Sequence, residues 1–192
     1  MITSKDELKT YLLQDKIALH KKNCPRPALF GDEVWKWEIV YRKYEYYTNC
    51  RRKNILTRLG YLYYKLICHN QSLKLGFSIP VNVFGPGLSI AHYGTITVNE
   101  NVKVGKNCRI HENVTIGATS GSKQAPILGD NIFLGSGSRV IGNVQIGDDI
   151  AIGAGCVVVR SFTTPGITLG GVPAKVISQN NSHPHLDKNL FE

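Results

Sequence analysis

A six-residue rhythm between residues 98 and 158 constrains this chain more than any other feature. Taking every sixth residue gives Val98, Val104, Ile110 and Ile116, then, after a step of twelve, Leu128, Leu134, Val140, Ile146, Ile152 and Val158. A second rail runs two residues earlier, through Ile96, Val102, Cys108 and Val114, and then Ile132, Ser138, Val144, Ile150 and Cys156. Glycine follows the first rail at Gly105, Gly117, Gly129, Gly135, Gly147 and Gly153. Neither a helix of 3.6 residues per turn nor a simple alternating strand yields this period with glycine in fixed phase. A parallel β-helix built from hexapeptides does, because each hexad makes one short face of a coil. The expected fold is therefore mainly β, a parallel coil of hexapeptide repeats.

The chain is long enough to bury a sizeable core, and its 42% hydrophobic content is ordinary for a soluble globular protein. Its start lacks the charged-then-apolar pattern of a secretory signal, and its longest apolar run is too short to span a bilayer. Five cysteines, odd in number and without C-x-x-C spacing, fit a reduced cytoplasmic setting. The net charge of +9 is uneven: residues 1–75 carry 15 Lys/Arg against 7 Asp/Glu, and the remainder 8 against 7. The basic segment reads either as a solvated helical face or as a surface for anionic lipid, a phosphate-linked carrier or an anionic glycan, so membrane-surface contact stays open. No nucleic-acid motif accompanies the charge, and no nucleic-acid partner is expected.

Three units follow from the pattern: a basic N-terminal α-helical segment over 1–75, the β-helix over 76–178, and a polar C-terminal tail over 179–192 that should fray. Ser4 with Glu7 forms a capping-box pattern ahead of a first helix, which the prolines Pro25 and Pro27 end. Asp32 should cap a second helix, whose aromatic run (Trp35, Trp37, Tyr41, Tyr44, Tyr46, Tyr47) packs the helical layer together. A third helix over 51–75, interrupted at Gly60, should end in a polar turn at 69–72. Within the ladder, Ser122 falls where an apolar residue belongs, so the loop at 118–126 must leave the coil, and loops on rigid scaffolds carry sites. Residues 172–177 read as a closing strand.

Three motifs carry chemistry: Gly87-Leu88-Ser89-Ile90-Ala91-His92-Tyr93-Gly94-Thr95, the rung Asn113-Val114-Thr115-Ile116-Gly117, and Gly170-Gly171-Val172-Pro173-Ala174-Lys175. With the ladder, they make residues 76–178 resemble the hexapeptide-repeat acyltransferases, and within these the serine acetyltransferases and related sugar O-acetyltransferases. The resemblance implies a left-handed parallel β-helix, a homotrimer with sites between subunits, and acetyl-CoA as co-substrate. A pair of trimers joined through the helical segment is a further option. By motif match His92 is the catalytic general base. A hydroxyl is a poor nucleophile until a base takes its proton, and histidine, with an unperturbed pKa near ~6.5, is suited to that at neutral pH. Ser136 and Ala154 match small residues beside the pantetheine arm. Val159, Arg160 and Lys175 match positions near the adenosine and phosphates, where a cation suits the anionic ligand. Tyr93, His111 and Gln124 are candidate acceptor contacts. Cys108 and Cys156 lie on a buried rail and read as packing.

The departures from the serine acetyltransferase pattern shape the acceptor. Those enzymes place Asp immediately before the matching histidine, where this chain has Ala91. They place a second histidine before a loop proline, where it has Ala125 before Pro126. Their acidic partner of the base falls at Phe77 or Ser78. Lacking the groups that hold serine's charged ends, the chain is expected to acetylate an uncharged hydroxyl of a sugar or glycan precursor, in polysaccharide biosynthesis. Serine, as in cysteine biosynthesis, is the alternative acceptor. His111 should face away from the coil, and His20, His69, His183 and His185 should be without role. A γ-carbonic-anhydrase-like site needs three histidines on zinc, and only His92 and His111 lie on the repeat, so no metal is expected. A non-catalytic trimerising module is the other alternative.

Overall fold

The computed structural model describes residues 1–120 and 122–191 of the chain. Three helices come first: α1 (Lys5–Ala18), α2 (Glu33–Cys50) and α3 (Ile55–Leu75). The expected capping box at Ser4 and Glu7 is formed. Asp32 occupies the N-cap position of α2, but its carboxylate turns back to accept the Ala28 N–H at 2.8 Å and pairs with Lys21 at 2.9 Å, so it caps nothing. α3 starts later than expected, with Asn54 as its cap, and runs through both Gly60 and residues 69–72 to a left-handed Gly76. Gly60 does not interrupt the helix; it lets α3 lie against α2, because a Cβ there would stand 2.5 Å from the Tyr47 ring. The aromatic run is packing, as expected: Trp35, Trp37, Tyr41 and Tyr46 are buried, and Trp37 stacks on Tyr41 and meets Phe77 edge-on.

The coil begins at Phe77. Its first face carries Phe77–Ser78, Ile96–Val98, Thr115–Gly117, Arg139–Ile141 and Val157–Val158, in that order. The second holds Lys103–Val104, Ile127–Leu128 and Gln145–Ile146; the third holds Ser89–Ile90, Arg109–Ile110, Phe133–Leu134, Ala151–Ile152 and Thr168–Gly170. All pairs among these are parallel. Turns in the middle of the coil pair residues eighteen apart, as Phe133 with Ala151, but twenty-four apart across the loop, as Arg109 with Phe133. At the ends Phe77 pairs with Ile96, Ser89 with Arg109 and Ala151 with Thr168, steps of nineteen, twenty and seventeen. The loop is thus one extra hexad. Both rails point inward and are buried along their whole length, Ser138 included.

The glycines after the first rail sit where turns touch: a Cβ on Gly135 would lie 2.7 Å from the Ala154 backbone nitrogen. At another corner the chain uses Asn107, Asn131 and Asp149, all with positive φ, which Asn and Asp tolerate better than most residues. Their side chains stack as a ladder, Asn107 donating to Asn131 at 2.8 Å and Asn131 to Asp149 at 2.8 Å.

Residues 118–126 leave the regular coil, but Ala125 and Pro126 are already buried again, so the exposed part is shorter than expected; Gly121 lies outside the described residues. The closing strand is Lys175–Ser178, and it runs antiparallel to Thr168–Gly170. The tail does not fray. Two 3-10 turns, His183–His185 and Lys188–Leu190, fold it back onto the coil and α1, with Ser182, Leu186 and Asp187 buried; Glu192 lies outside the described residues. His183 pairs with Asp149 at 2.7 Å, His185 stacks on Phe133, and Asp187 meets His20 at 2.7 Å.

One buried cluster joins helices to coil. Arg42, fully buried, donates to Asp15 at 2.7 and 3.2 Å, to Glu45 at 3.0 Å, and to the carbonyls of Phe84 at 2.9 Å and Gly85 at 2.6 Å. Asp15 also accepts the N–H groups of Gly87 and Leu88, each at 2.8 Å.

Candidate active site

His92 lies just past the strand Ser89–Ile90, at the end of the coil that the helices cover. Ile90 is held by Glu38 of α2, whose buried carboxyl accepts the Ile90 N–H at 3.0 Å while its other oxygen has no partner. Burial, reinforced by the charge of Asp15, pushes Glu38 well above the usual carboxylate range, and the hydrogen bond it accepts from Ile90 anchors the strand to α2. His92 is exposed and its ring meets that of His111 edge-on, with centroids 5.7 Å apart. His111 faces out of the coil, as expected, and lies half-buried there beside its own chain's His92. Burial, helped by the nearby positive charge of Arg109, holds the His111 pKa below the ordinary histidine value, keeping the ring neutral.

Glu112 completes the group. It is the carboxylate beside His92 that residues 77 and 78 do not supply: Phe77 is a core side chain against Trp37. His92, His111 and Glu112 each present an atom within 4.8 Å of the others. The Ser136 hydroxyl donates to Glu112 at 2.5 Å, and that hydrogen bond, before any other influence, lowers the Glu112 pKa. The same three residues have metal-ligating types. Tetrahedral zinc would need donors about 3.4 Å apart, the third donor is a glutamate in place of histidine, and Ser136 already engages it, so the three-histidine zinc site does not fit.

A cavity of about 280 Å³ opens beside His92 and Tyr93. Its walls bring charges of both signs: Arg109 from the coil, and Lys21, Asp32 and Glu33 from the helical segment. Arg109 is half-buried and donates to Ser89 at 2.8 Å. Asp32 is held below the usual carboxylate range by the Ala28 N–H and Lys21, and Glu33 by backbone N–H groups. His20 lines the same cavity. Position alone marks Asp32 as a cap and leaves His20, Glu33 and Arg109 without a role, whereas all four line this cavity. The helices that bring Asp32 and Glu33 to His92 span sixty residues of sequence, with no motif linking them.

From His92 a narrow edge of small residues descends the coil. Glu112, Ser136 and Ala154 occupy successive turns, tied by Gly137 N–H to Glu112 C=O at 3.0 Å and Gly155 N–H to Ser136 C=O at 2.8 Å. Gly135 and Gly153 precede Ser136 and Ala154, so the edge below Glu112 carries little side-chain bulk. Ser136 is half-buried and Ala154 exposed. Below, Val159 and Arg160 are exposed, Arg160 lying over the Phe162 ring at 5.0 Å, and Lys175 borders a cavity of about 370 Å³ with Gly170 and Gly171. Gln124 is exposed on the loop and does not line the cavity beside His92. Cys108 and Cys156 are buried on the second rail as packing, and burial pushes Cys108 up to about 12 and raises Cys156.

No family model matches the chain. Among curated proteins it is 37% identical over 116 residues to the serine acetyltransferase of Synechococcus elongatus, covering 59% of this chain and 47% of that protein. It is 33% identical over 137 residues to that of Buchnera aphidicola, covering 67% and 51%. The chain thus spans about half the length of the curated relatives it matches. Among solved structures, serine acetyltransferase from Brucella abortus matches with a TM-score of 0.72 at 22% identity, over 93% of this chain and 72% of that one. The same enzyme in complex with coenzyme A matches at 0.71 and 25% identity, over 92% and 70%. The fold is the expected left-handed parallel β-helix behind N-terminal helices, and the expected resemblance to the serine-acetyltransferase-like group of hexapeptide-repeat acyltransferases holds in both sequence and fold.

Proposed function

We propose that this chain is an acetyl-CoA-dependent serine O-acetyltransferase with His92 as general base. The observation that carries the reading is the cavity beside His92, which offers Arg109 to a carboxylate and Glu33 to an ammonium group, Asp32 being already paired with Lys21. An uncharged sugar hydroxyl needs neither. The expectation of a sugar acceptor rested on Ala91 and Ala125, which looked only at the coil; the charges come instead from the helical segment and Arg109. The curated relatives favour serine as well, and polysaccharide biosynthesis has no support among them.

In this mechanism His92 takes the serine hydroxyl proton as the oxygen attacks the thioester carbonyl, and Glu112 orients the imidazole and balances its charge. The attack gives a tetrahedral oxyanion. Collapse breaks the C–S bond, and the His92 imidazolium returns the proton to the departing thiolate. Ser136 and Ala154 flank the pantetheine arm along the edge below Glu112, while Val159, Arg160 and Lys175 receive the adenosine and phosphates. Tyr93 walls the acceptor site and His111 backs it through its contact with His92; Gln124 serves it only across a subunit boundary, in the homotrimer that the reading includes. The division of labour follows the proposed units: residues 1–75 complete the acceptor site, 76–178 bind acetyl-CoA, and the tail from 179 braces the two.

The test is thiol release from acetyl-CoA with serine and with a panel of sugars as acceptors. Serine should be acetylated, and His92→Ala should lose about 10²–10⁴-fold in turnover with an unchanged circular dichroism spectrum. Transfer to sugars but not serine would return the acceptor to the glycan class; undiminished transfer by His92→Ala would remove the base.

A further inference from the structure

α3 hides one side and leaves the other bare. Its inner side packs on α2, where Tyr64 stacks on Tyr47 and Tyr61 lies near Tyr44. Its outer side exposes Ile55, Leu56, Leu59, Leu62, Tyr63, Leu66 and Leu73, each 55% exposed or more. At 100° per residue these fall on a single stripe, and the helix is long enough for the stripe to run about 27 Å. An apolar patch this large on a soluble surface marks an interaction site.

The charge around the stripe has one sign. Between Glu45 and Glu100 the sequence contains no carboxylate, while Arg51, Arg52, Lys53, Arg58, Lys65 and Lys74 fall within it. All six are exposed, and among the described residues none pairs with a carboxylate. Three of them converge: Arg51, Arg52 and Arg58 line a cavity of about 590 Å³ together with Tyr61 and Leu62. Tyr61 holds Arg51 and Lys65 over its ring face, at 5.4 and 5.7 Å. An arginine-lined hollow at the end of an apolar stripe has the chemistry of a phosphate headgroup beside acyl chains. A second copy of α3 would set cations against cations with no acid to relieve them. No helix among the described residues is long and apolar enough to cross a membrane, so the face suits lying on a bilayer.

We propose that the outer face of α3 docks the protein on an anionic phospholipid surface, with Leu59, Tyr63 and Leu66 in the interface and Arg51, Arg52 and Arg58 on headgroup phosphates. The inference is independent of the acetyl-transfer reading. It is tested with the full chain by flotation on vesicles of phosphatidylcholine alone and of phosphatidylcholine mixed with phosphatidylglycerol. The protein should float with the anionic vesicles, remain behind with the neutral ones, and be released by high salt. The triple variant Arg51→Gln, Arg52→Gln, Arg58→Gln should bind about a hundredfold more weakly, and the double variant Leu59→Gln, Leu66→Gln should lose flotation even at low salt. These side chains are exposed, so both variants should keep the unfolding temperature. Equal binding to both vesicle types, or anionic binding that neither variant weakens, overturns the proposal. So does a fall in solution mass of the leucine variant, which would mean that another copy covers the stripe.

Discussion

Arg42 is the residue whose loss should cost this fold most. Replacing it with leucine removes all five hydrogen bonds that its guanidinium donates, leaving the carbonyls of Phe84 and Gly85 without that donor and the buried carboxylates of Asp15 and Glu45 without their cation. Breaking a buried ion pair by removing one partner costs about 3–5 kcal/mol. Each orphaned buried carbonyl adds roughly 1–3 kcal/mol. Asp15 keeps its bonds from Gly87 and Leu88, and the carboxylates can take up protons, which offsets part of the loss. A net cost of about 5 kcal/mol follows, or a fall in Tm of roughly 10–20 °C for a chain of this size. Thermal unfolding followed by circular dichroism reads it directly. The companion variant Asp15→Leu, Arg42→Leu, Glu45→Leu removes every charge of the cluster and should regain most of the lost stability, since a buried ionic group can be exchanged for apolar packing at little cost. A drop below about 4 °C in the single variant, or a triple variant no better than the single, would refute the view that the cluster's danger lies in unpaired charge.

Two further outcomes are expected. Glu112→Gln keeps an acceptor for Ser136 but removes the charge beside His92, so turnover should fall roughly one to two orders of magnitude while KM for acetyl-CoA holds, in steady-state kinetics; an unchanged turnover would exclude Glu112 from orienting the base. The tail should release in acid. Burial works to raise Asp149 and Asp187, but hydrogen bonds from His183 and Asn131 to the first, and from Asn189 and His20 to the second, hold both below the usual carboxylate range. Depressed folded-state values stabilise docking above the unfolded pKa of about 3.9 and lose it as pH falls through the folded values. Hydrogen exchange at residues 182–190 should therefore rise below about pH 4 before the coil opens, and simultaneous exchange of both would contradict this.

The coil was legible because one hexad repeats one environment: ten residues of the first rail share a single instruction, and all ten are buried. The corner ladder of Asn107, Asn131 and Asp149 was in principle legible as well, since it recurs with the turns, but a lone asparagine carries no signal without its neighbours. His92 could be read from its motif, while the walls around it could not. Asp32 looked like a cap by its position before α2, but its carboxylate turns back to the Ala28 N–H and Lys21 at the rim of the cavity, a contact that only the path of the 19–31 connection sets. His111 faces outward, as its place after a buried rail residue implies, but that rule does not give its neighbour: Ser89–Ile90 pairs with Arg109–Ile110 at a step of twenty, and this brings His92 against it. The tail read as frayed from its polarity, yet that polarity matches the polar corner of the coil, and Ser182 reaches the Asn131 carbonyl there.

The antiparallel strand Lys175–Ser178 has a consequence beyond closing the coil. A parallel stack ends in a row of unsatisfied amides and carbonyls on which another stack could continue. On the third face the reversed strand Lys175–Ser178 takes up the last parallel rung, Thr168–Gly170, so that face offers no parallel edge to a further turn. The span from the turn holding His92 to the turn holding Gly171 is then four steps of about 4.8 Å, roughly 19 Å. That edge behaves as a ruler. A ligand whose reactive end lies at His92 and whose anionic end lies at Lys175 is selected by reach as well as by charge, and adding or deleting one full turn of three hexads would recalibrate it.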